Sequence, residues 1–295
     1  MNEKTNISQL RQMGHQIVDV FPFFNELELL ELRLRILSPY VDKFVLVECP
    51  RTFTGNIKPL YFELNKRKFE FWEGKILHYV VDNPLDDMKD LDRRLLLSDI
   101  SDEEMWILAK TKSFSNSNEF QWRREFFQRE SIRLAIPPQS NGDLIFFSDL
   151  DEIWNPQMEF KWNEGLVYRL KQAVYLYSLN NKSNENWTSA FFTAYRNLVG
   201  QSLNDLRATS GNLESIVVTN GGWHFSYQGG AERIQKKLES FGHQEFNTRR
   251  IKKRIPKRLN KRQDVLGRNF EFQKSEEDLP PEVLAMKKEL PDWFL

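Results

Sequence analysis

Two aspartates separated by one residue, Asp149 and Asp151, have the type and spacing that point most directly to chemistry in this sequence. They follow the mostly apolar run 143–148, which is predicted to be a buried strand. Carboxylate oxygens are the ligands that Mg²⁺ and Mn²⁺ prefer, and two carboxylates at a strand end can share one ion. Such an ion would stabilise negative charge on a departing diphosphate. The alternative is a solvated turn capped by an aspartate.

Two histidines are further candidates for binding the metal ion or a phosphate. His224 lies in the aromatic run 223–227, shortly before Gly229 and Gly230, which allow close approach of the backbone to a ligand. His243 lies in a second short run, 240–245. A half-buried structural role is the alternative for either histidine.

Transfer of a group to a hydroxyl needs a carboxylate that removes the hydroxyl proton. The candidates are Glu232, at a predicted helix start after two glycines, and Glu152, directly after the two aspartates. Glu185 and Asp205 also remain open. Acidic residues are favoured at helix N-termini for electrostatic reasons, so a structural role for Glu232 is the alternative.

The segment 249–262 contains nine Lys or Arg residues among fourteen and no acidic residue. Such a segment can neutralise a diphosphate, or contact an anionic acceptor or a membrane surface. The alternative is a solvated basic helix that is broken at Pro256.

The elements that must position these side chains are predicted from hydrophobic periodicity. A strand over 17–21, a helix over 26–37 and an apolar strand over 43–48 form a βαβ unit. Pro22 is expected to end the first strand and Asn25 to cap the helix. Ligands of open α/β sheets bind beyond the carboxyl ends of the strands, which is where Asp149 and Asp151 are expected.

The second half of the sequence changes character, and its alternating runs predict antiparallel strands. A turn is expected at 220–222 and a helix from 229 to about 241. We expect one compact α/β domain over 17–270, between tails at 1–16 and 271–295. Its half 17–154 would bind a nucleotide-sugar and its half 155–270 an acceptor.

Composition limits the classes of partner and compartment. The 42 basic and 42 acidic residues balance, so no nucleic-acid partner is indicated. The single cysteine, Cys49, excludes an intrachain disulfide. No apolar run is long enough to span a membrane and the start lacks a signal-peptide core. The expected location is cytoplasmic, with peripheral contact to the inner face of the membrane through 249–262 as an option.

Several motifs in the same order resemble glycosyltransferase family 17, which includes the β-1,4-mannosyl-glycoprotein β-1,4-N-acetylglucosaminyltransferases. The resemblance covers roughly residues 17–270. The motifs that carry it are FPFFNE at 21–26, VDKFVLVE at 41–48, RTFTG at 51–55, KPLYF at 58–62, SDLDEI at 148–153, GWHFSY at 222–227 and ESFGHQE at 239–245.

This resemblance implies an inverting, metal-dependent enzyme with a GT-A-like fold, a Rossmann-type mixed sheet flanked by helices. It implies UDP-GlcNAc or a related UDP-sugar as donor, a polysaccharide, lipopolysaccharide or glycoprotein as acceptor, and Mn²⁺ or Mg²⁺ as cofactor. The expected metal ligands are Asp149, Asp151, His224 and His243. The expected nucleotide-sugar-binding residues are Phe21, Glu48, Arg51, Thr54, Arg129, Asp149 and Arg268.

Two other classes of protein remain as alternatives. A non-catalytic carbohydrate-binding protein would use the many aromatic residues. A phosphatase of the haloacid dehalogenase type would also have Asp-x-Asp after an apolar strand, with Asp149 as its nucleophile. Here Glu152 and Ile153 follow the motif, which lies mid-chain rather than near the start.

Overall fold

The fold is described from a computed structural model, which describes residues 4–114, 119–209 and 211–295. The α-helices are α1 (Ile7–Gln12), α2 (Leu27–Leu37), α3 (Tyr61–Asn65), α4 (Met88–Arg94), α5 (Asp102–Ser113), α6 (Phe120–Glu130), α7 (Leu203–Ala208), α8 (Gly230–Ser240), α9 (Arg249–Asn260) and α10 (Pro281–Met286). The strands are β1 (Ile17–Phe23), β2 (Lys43–Glu48), β3 (Ile76–Val80), β4 (Leu144–Phe147), β5 (Glu152–Trp154), β6 (Val167–Leu176), β7 (Asn181–Ser183), β8 (Phe191–Ala194), β9 (Ser215–Ser226) and β10 (Phe272–Lys274). Short 3₁₀ helices cover Lys66–Trp72, Ser131–Ala135, Tyr195–Leu198, Gln244–Phe246 and Pro291–Trp293.

The strands form one mixed sheet in the order β10-β7-β6-β8-β4-β1-β2-β3, with β9 paired to β6 and β5 paired to β9. Strands β4, β1, β2 and β3 are mutually parallel and form a Rossmann-type half. Strand β8 then pairs antiparallel with both β4 and β6. Helices cover both faces, so the predicted α/β fold with a mixed sheet is confirmed, and it is consistent with a GT-A-like architecture.

Alternate residues of the parallel strands enter two separate hydrophobic cores because successive side chains point to opposite faces of a sheet. Phe44 and Phe146 belong to the core that packs against α2, whereas Val45 and Phe147 belong to the core that packs against α5 and α6. Burial on both faces explains why β2 and β4 are almost continuously apolar in sequence.

The first βαβ unit follows the prediction except at two residues. Strand β1 does not end at Pro22 but continues to Phe23. Its pairing with β4 stops at Val20, so the open side beyond that point tolerates a residue without an N–H group. Asn25 is not the helix cap either, since Glu26 occupies the N-cap position of α2 and makes no side-chain capping bond.

The glycines at 221 and 222 lie inside β9 and not in a turn between two strands, as predicted. Strand β9 bulges here, where its register against β6 shifts between Leu170 and Gln172. A Cβ atom on Gly222 would come 2.2 Å from the carbonyl oxygen of Ile153, and one on Gly221 2.8 Å from the Cα of Leu170. Only glycine allows β5, β6 and β9 to approach this closely.

The predicted tails contain packed elements over their described residues. Ile7 and Leu10 of α1 are buried, as are Val283 and Met286 of α10 and Trp293. Residues 249–260 of the basic segment form one continuous helix, α9, with Pro256 inside it, so the alternative of a helix broken at Pro256 is wrong. In the described parts of the chain, no helix is long and apolar enough to cross a membrane.

Candidate active site

A cavity of about 470 Å³ opens beyond the carboxyl ends of the parallel strands. It is lined by residues that follow β1, β2 and β4, by α6 and α8, and by β9 and the segment after α9. This volume is typical of pockets that bind small molecules, and the position is the usual one for ligands of open α/β sheets. Of the lining residues, five are Asp or Glu and six are Lys or Arg.

The loop between β4 and β5, which carries both aspartates, is built around Arg33 of α2. Arg33 is fully buried and forms a two-bond ion pair with Asp19 of β1, each bond 2.7 Å long. Asp19 also accepts a hydrogen bond from the indole N–H of Trp154. The same guanidinium donates to the Ser148 hydroxyl and to three carbonyl oxygens of the loop, those of Asp149, Leu150 and Glu152. The buried Arg33 guanidinium therefore fixes the backbone of this loop from the side of the protein core.

Asp149 is held by two arginines from different helices. Arg129 of α6 donates to both of its carboxylate oxygens at 3.0 and 3.1 Å, and Arg207 of α7 donates to Oδ2 at 2.9 Å. Burial alone would raise the pKa of Asp149, but the two guanidinium groups outweigh it and lower the pKa.

Glu152 is the residue that anchors Arg207. Its carboxylate accepts two bonds from Arg207, one from the indole N–H of Trp187 and one from the backbone N–H of Asp149. It is fully buried and does not line the cavity. A carboxylate with these four bonds positions its neighbours and has no contact with the space where a substrate would lie.

Asp151 is neutralised from the other side of the cavity. The ammonium of Lys237 on α8 lies 2.7 Å from its Oδ2, and His224 Nε2 on β9 lies 3.7 Å from its Oδ1. Burial would raise the pKa of Asp151, but Lys237 and His224 hold it far below its usual range. Burial likewise would lower the pKa of His224, and the Asp151 carboxylate raises it instead.

Asp151 and His224, whose facing oxygen and nitrogen atoms lie 3.7 Å apart, are the two side chains that would hold a divalent ion. Carboxylate oxygen suits Mg²⁺ and Mn²⁺, and imidazole nitrogen is a common metal ligand in proteins. Among the described residues no group of three or more His, Cys, Asp or Glu side chains could hold a metal ion. A cation held by this pair would have to take its remaining ligands from water and phosphate.

A second polar cluster lies at the edge formed after α9. Buried Asp264 accepts hydrogen bonds from the Tyr177 hydroxyl at 2.6 Å and from the Arg268 guanidinium at 2.8 Å. Arg268 in turn lies 3.8 Å from a carboxylate oxygen of Glu185. Both Arg268 and Glu185 line the cavity.

The structure brings only some of the predicted site residues together. The following predicted residues line the cavity: Arg51, Arg129, Asp149, Asp151, His224, His243 and Arg268. His243 does not approach Asp151 closely enough to form a joint metal site; it pairs with Glu245 and stands edge-on to Trp122.

Four other predicted residues do not line the cavity. Phe21 is fully buried beneath the Arg33 guanidinium, and Glu48 is buried against Lys58 and His78. Thr54 donates to the carbonyl of Glu239. Glu232 is exposed on the first turn of α8. Neighbouring residues take their places at the cavity wall, namely Pro22, Phe23, Phe24, Val47, Cys49 and Thr52.

Three basic residues of the site were not predicted from the sequence. Arg33 had a usable signal, because it occupies the apolar face of α2 between Leu30 and Leu34, while Asp19 interrupts an apolar strand. A buried cation opposite a buried anion implies a pair. Arg207 and Lys237 lie on helices with ordinary polar residues around them and had no such signal.

The comparison with known families decides the class. Residues 5–94 match the model of glycosyltransferase family 17. This match supports the predicted assignment to family 17. It covers β1, α2, β2, the loop after β2 and β3, and it does not reach the Asp149–Asp151 segment. No curated protein was found to match the chain.

The family 17 assignment supports a glycosyltransferase enzyme and glycosyl transfer as its general activity. A sugar donor and a glycan acceptor follow in general terms. The assignment favours this class over a non-catalytic sugar-binding protein and over a phosphatase. Asp149, which would be the phosphatase nucleophile, is bound by two guanidinium groups.

Proposed function

We propose that this chain transfers a sugar, with inversion, from a UDP-sugar in the cavity to a hydroxyl of a glycan. UDP-GlcNAc is the proposed donor. One observation carries the proposal: Asp149 and Asp151 lie just after the parallel strand β4, at a cavity that Arg129, Arg207 and Lys237 also line. Fixed cations of this kind stabilise the negative charge that develops on a departing diphosphate.

The transfer is a single displacement at the anomeric carbon. The acceptor oxygen forms a bond to that carbon while the bond to the diphosphate oxygen breaks, and the electron pair leaves with UDP. A carboxylate accepts the hydroxyl proton. Glu185 fits this role best among the candidates, because it lines the cavity and, within the described residues, its carboxylate accepts no hydrogen bond. Glu152 is fully bonded and Glu232 faces solvent.

The proposal includes a divalent cation, Mn²⁺ or Mg²⁺, with Asp151 and His224 as its protein ligands. When bound, such an ion acts as a Lewis acid on diphosphate oxygens. Lys237 holds one oxygen of Asp151, so the ion and the ammonium would share this carboxylate. Asp149, held by its two arginines, serves to position Arg129 and Arg207.

Calorimetric titration of the purified protein with UDP-GlcNAc, UDP-glucose and UDP-galactose tests the donor, with Mn²⁺ and with a chelator. Metal-dependent binding that prefers UDP-GlcNAc supports the full proposal. Binding of equal affinity in the presence of a chelator would exclude a metal ion from donor binding. The arginine and lysine side chains of the cavity would then be the groups that stabilise the diphosphate charge. A folded sample that binds no nucleotide-sugar would overturn the proposal.

The base is tested by comparing Glu185→Gln with Glu232→Gln. For Glu185→Gln we expect donor binding within about twofold of wild type and transfer reduced at least about 100-fold, the usual contribution of a general base. Glu232→Gln is the matched control and should transfer normally. The reverse pattern would return the role to Glu232.

A further inference from the structure

Helix α9 presents a stripe of positive charge to solvent. Arg250, Lys253, Arg254 and Lys257 follow one another at spacings of three, one and three residues, and Lys261 continues the series just after the helix. At 3.6 residues per turn these positions share one face. All five side chains are exposed. We call these five residues the basic stripe.

The opposite face of α9 fixes the helix to the body of the protein. Ile255 is fully buried, and Ile251 and Leu259, four residues to either side, pack against the same hydrophobic cluster. Members of that cluster also line the cavity, namely Leu176, Trp187, Tyr227, Phe241, Phe246 and Leu266. The basic stripe is therefore carried on a rigid support next to the cavity.

The stripe has no acidic partner within the chain as described. None of its five residues lies within ion-pair distance of a carboxylate, whereas Lys252, on the flank of the helix, pairs with Glu239. None of the residues 249–262 lines the cavity, so the stripe does not contact a donor bound there. The protein as a whole is electrically neutral, so this is a local excess of positive charge.

Resting on the glycosyltransferase function proposed above, we propose that the basic stripe docks an acceptor glycan that carries several phosphate or carboxylate groups. The segments on both sides of α9 line the cavity, with Phe246 before it and Leu266 and Arg268 after it. An acidic chain lying along a helix about 18 Å long would thus reach the cavity at either end. No large apolar side chain of α9 is exposed, so the stripe has nothing to insert into a lipid layer.

The test compares wild type with the variant Arg250→Ser/Lys253→Ser/Arg254→Ser/Lys257→Ser. The probes are an oligogalacturonate and a phosphorylated oligomannose, with unphosphorylated oligomannose as the neutral control. We expect wild type to bind both acidic probes, more weakly as salt is added, and the variant to bind them at least about tenfold more weakly. The matched control variant removes exposed cations elsewhere, Arg67→Ser/Lys89→Ser/Lys171→Ser/Lys288→Ser, and should bind as wild type does.

UDP-GlcNAc titration of the same samples separates this inference from the proposed function. If wild type binds the donor but neither acidic probe, or if the stripe variant binds them unchanged, the inference is wrong and the proposed function stands. Stripe-dependent binding to vesicles of phosphatidylcholine and phosphatidylserine, without binding to the acidic probes, would overturn it in favour of a membrane surface. Failure to bind any donor would overturn the proposed function; stripe-dependent binding of the acidic probes would then show a docking surface for acidic glycans and would overturn their role as acceptors.

Discussion

The ammonium of Lys237 lies 2.7 Å from the Oδ2 atom of Asp151, across 86 positions of sequence. The contact joins the loop after β4 to helix α8, and so connects the Rossmann-type half of the sheet with the second half of the chain. Burial alone would lower the pKa of Lys237, but the Asp151 carboxylate outweighs burial and raises that pKa above its usual value.

Replacing Lys237 by methionine should reduce sugar transfer by about 100-fold, because one fixed positive charge at the cavity is lost. Asp151→Asn should have at least as large an effect, since it also releases Lys237 and His224. Both rates would be measured with the donor that the calorimetry identifies.

The matched control is Lys236→Met, at the adjacent position of α8. Among the described residues, the Lys236 ammonium donates to the Tyr61 hydroxyl and lies over the Tyr61 ring, and Lys236 does not line the cavity. Circular dichroism and thermal unfolding would establish that each variant is folded. A folded Lys237→Met protein with transfer within about twofold of wild type would contradict the assigned role.

Replacing Arg33 by methionine should lower the free energy of unfolding by about 3–5 kcal/mol, because Asp19 would remain as a buried, unpaired charge. Arg35→Met, two residues further along the same helix, is the control. Arg35 pairs with Glu31 and Glu289 at the surface, where such pairs contribute about 0–1 kcal/mol. Urea unfolding of the two variants measures the loss of unfolding free energy in each. Equal losses would show that the Arg33 network stabilises the fold no more than the surface pairs of Arg35 do.

The stability contributed by Asp264 should depend on pH. Burial would raise its pKa, but hydrogen bonds from Arg268 and Tyr177 lower it below the ordinary value of 3.8. A lowered carboxyl pKa stabilises the fold above the unfolded-state value, and this contribution is lost as the pH falls through the folded-state value.

Asp264→Asn should therefore destabilise the protein at neutral pH, and the difference from wild type should shrink as the pH falls below about 4. Urea unfolding at several pH values measures this difference. Asp292→Asn, at an exposed position, is the control and should have no pH-dependent effect. A difference for Asp264→Asn that is constant with pH would mean that its charge contributes nothing.

The thiol of Cys49 should react slowly although it lines the cavity. Burial raises its pKa from 9.0 to about 11, so at pH 8 alkylation should be about 100-fold slower than for an unperturbed thiol. Iodoacetamide labelling of native and urea-unfolded protein measures the ratio without ambiguity, because Cys49 is the sole cysteine. Bound donor should slow labelling further. Equal rates in the native and unfolded protein would contradict the described burial.

Local patterns predicted the parallel half of the fold well. The apolar run 43–48 is β2 without change of boundary, and the spacing of leucines located α2. The boundaries at Pro22 and Asn25 were wrong because they depend on which neighbouring strand is paired and on backbone geometry. The bulge at Gly221 and Gly222 depends on contacts with two other strands. These contacts cannot be seen in the sequence, where a pair of glycines resembles a turn.

The site was predicted to the extent that its residues follow strand ends. Asp149 and Asp151 are of this kind. The pairs Arg207–Glu152 and Lys237–Asp151 span 55 and 86 positions, and no periodicity links residues so far apart. The family resemblance implied that Glu48 binds the donor, but strand alternation turns its side chain into the core towards Lys58 and His78.

Three carbonyl groups of the loop between β4 and β5 accept hydrogen bonds from Arg33. This arrangement affects the kinetics of ligand binding. A loop that is already ordered loses little chain entropy when a ligand arrives, so more of the contact energy remains as affinity. Association would then be governed by diffusion into the cavity, and the rate of dissociation would distinguish good ligands from poor ones. Amide hydrogen exchange in this loop would already be slow in the free protein.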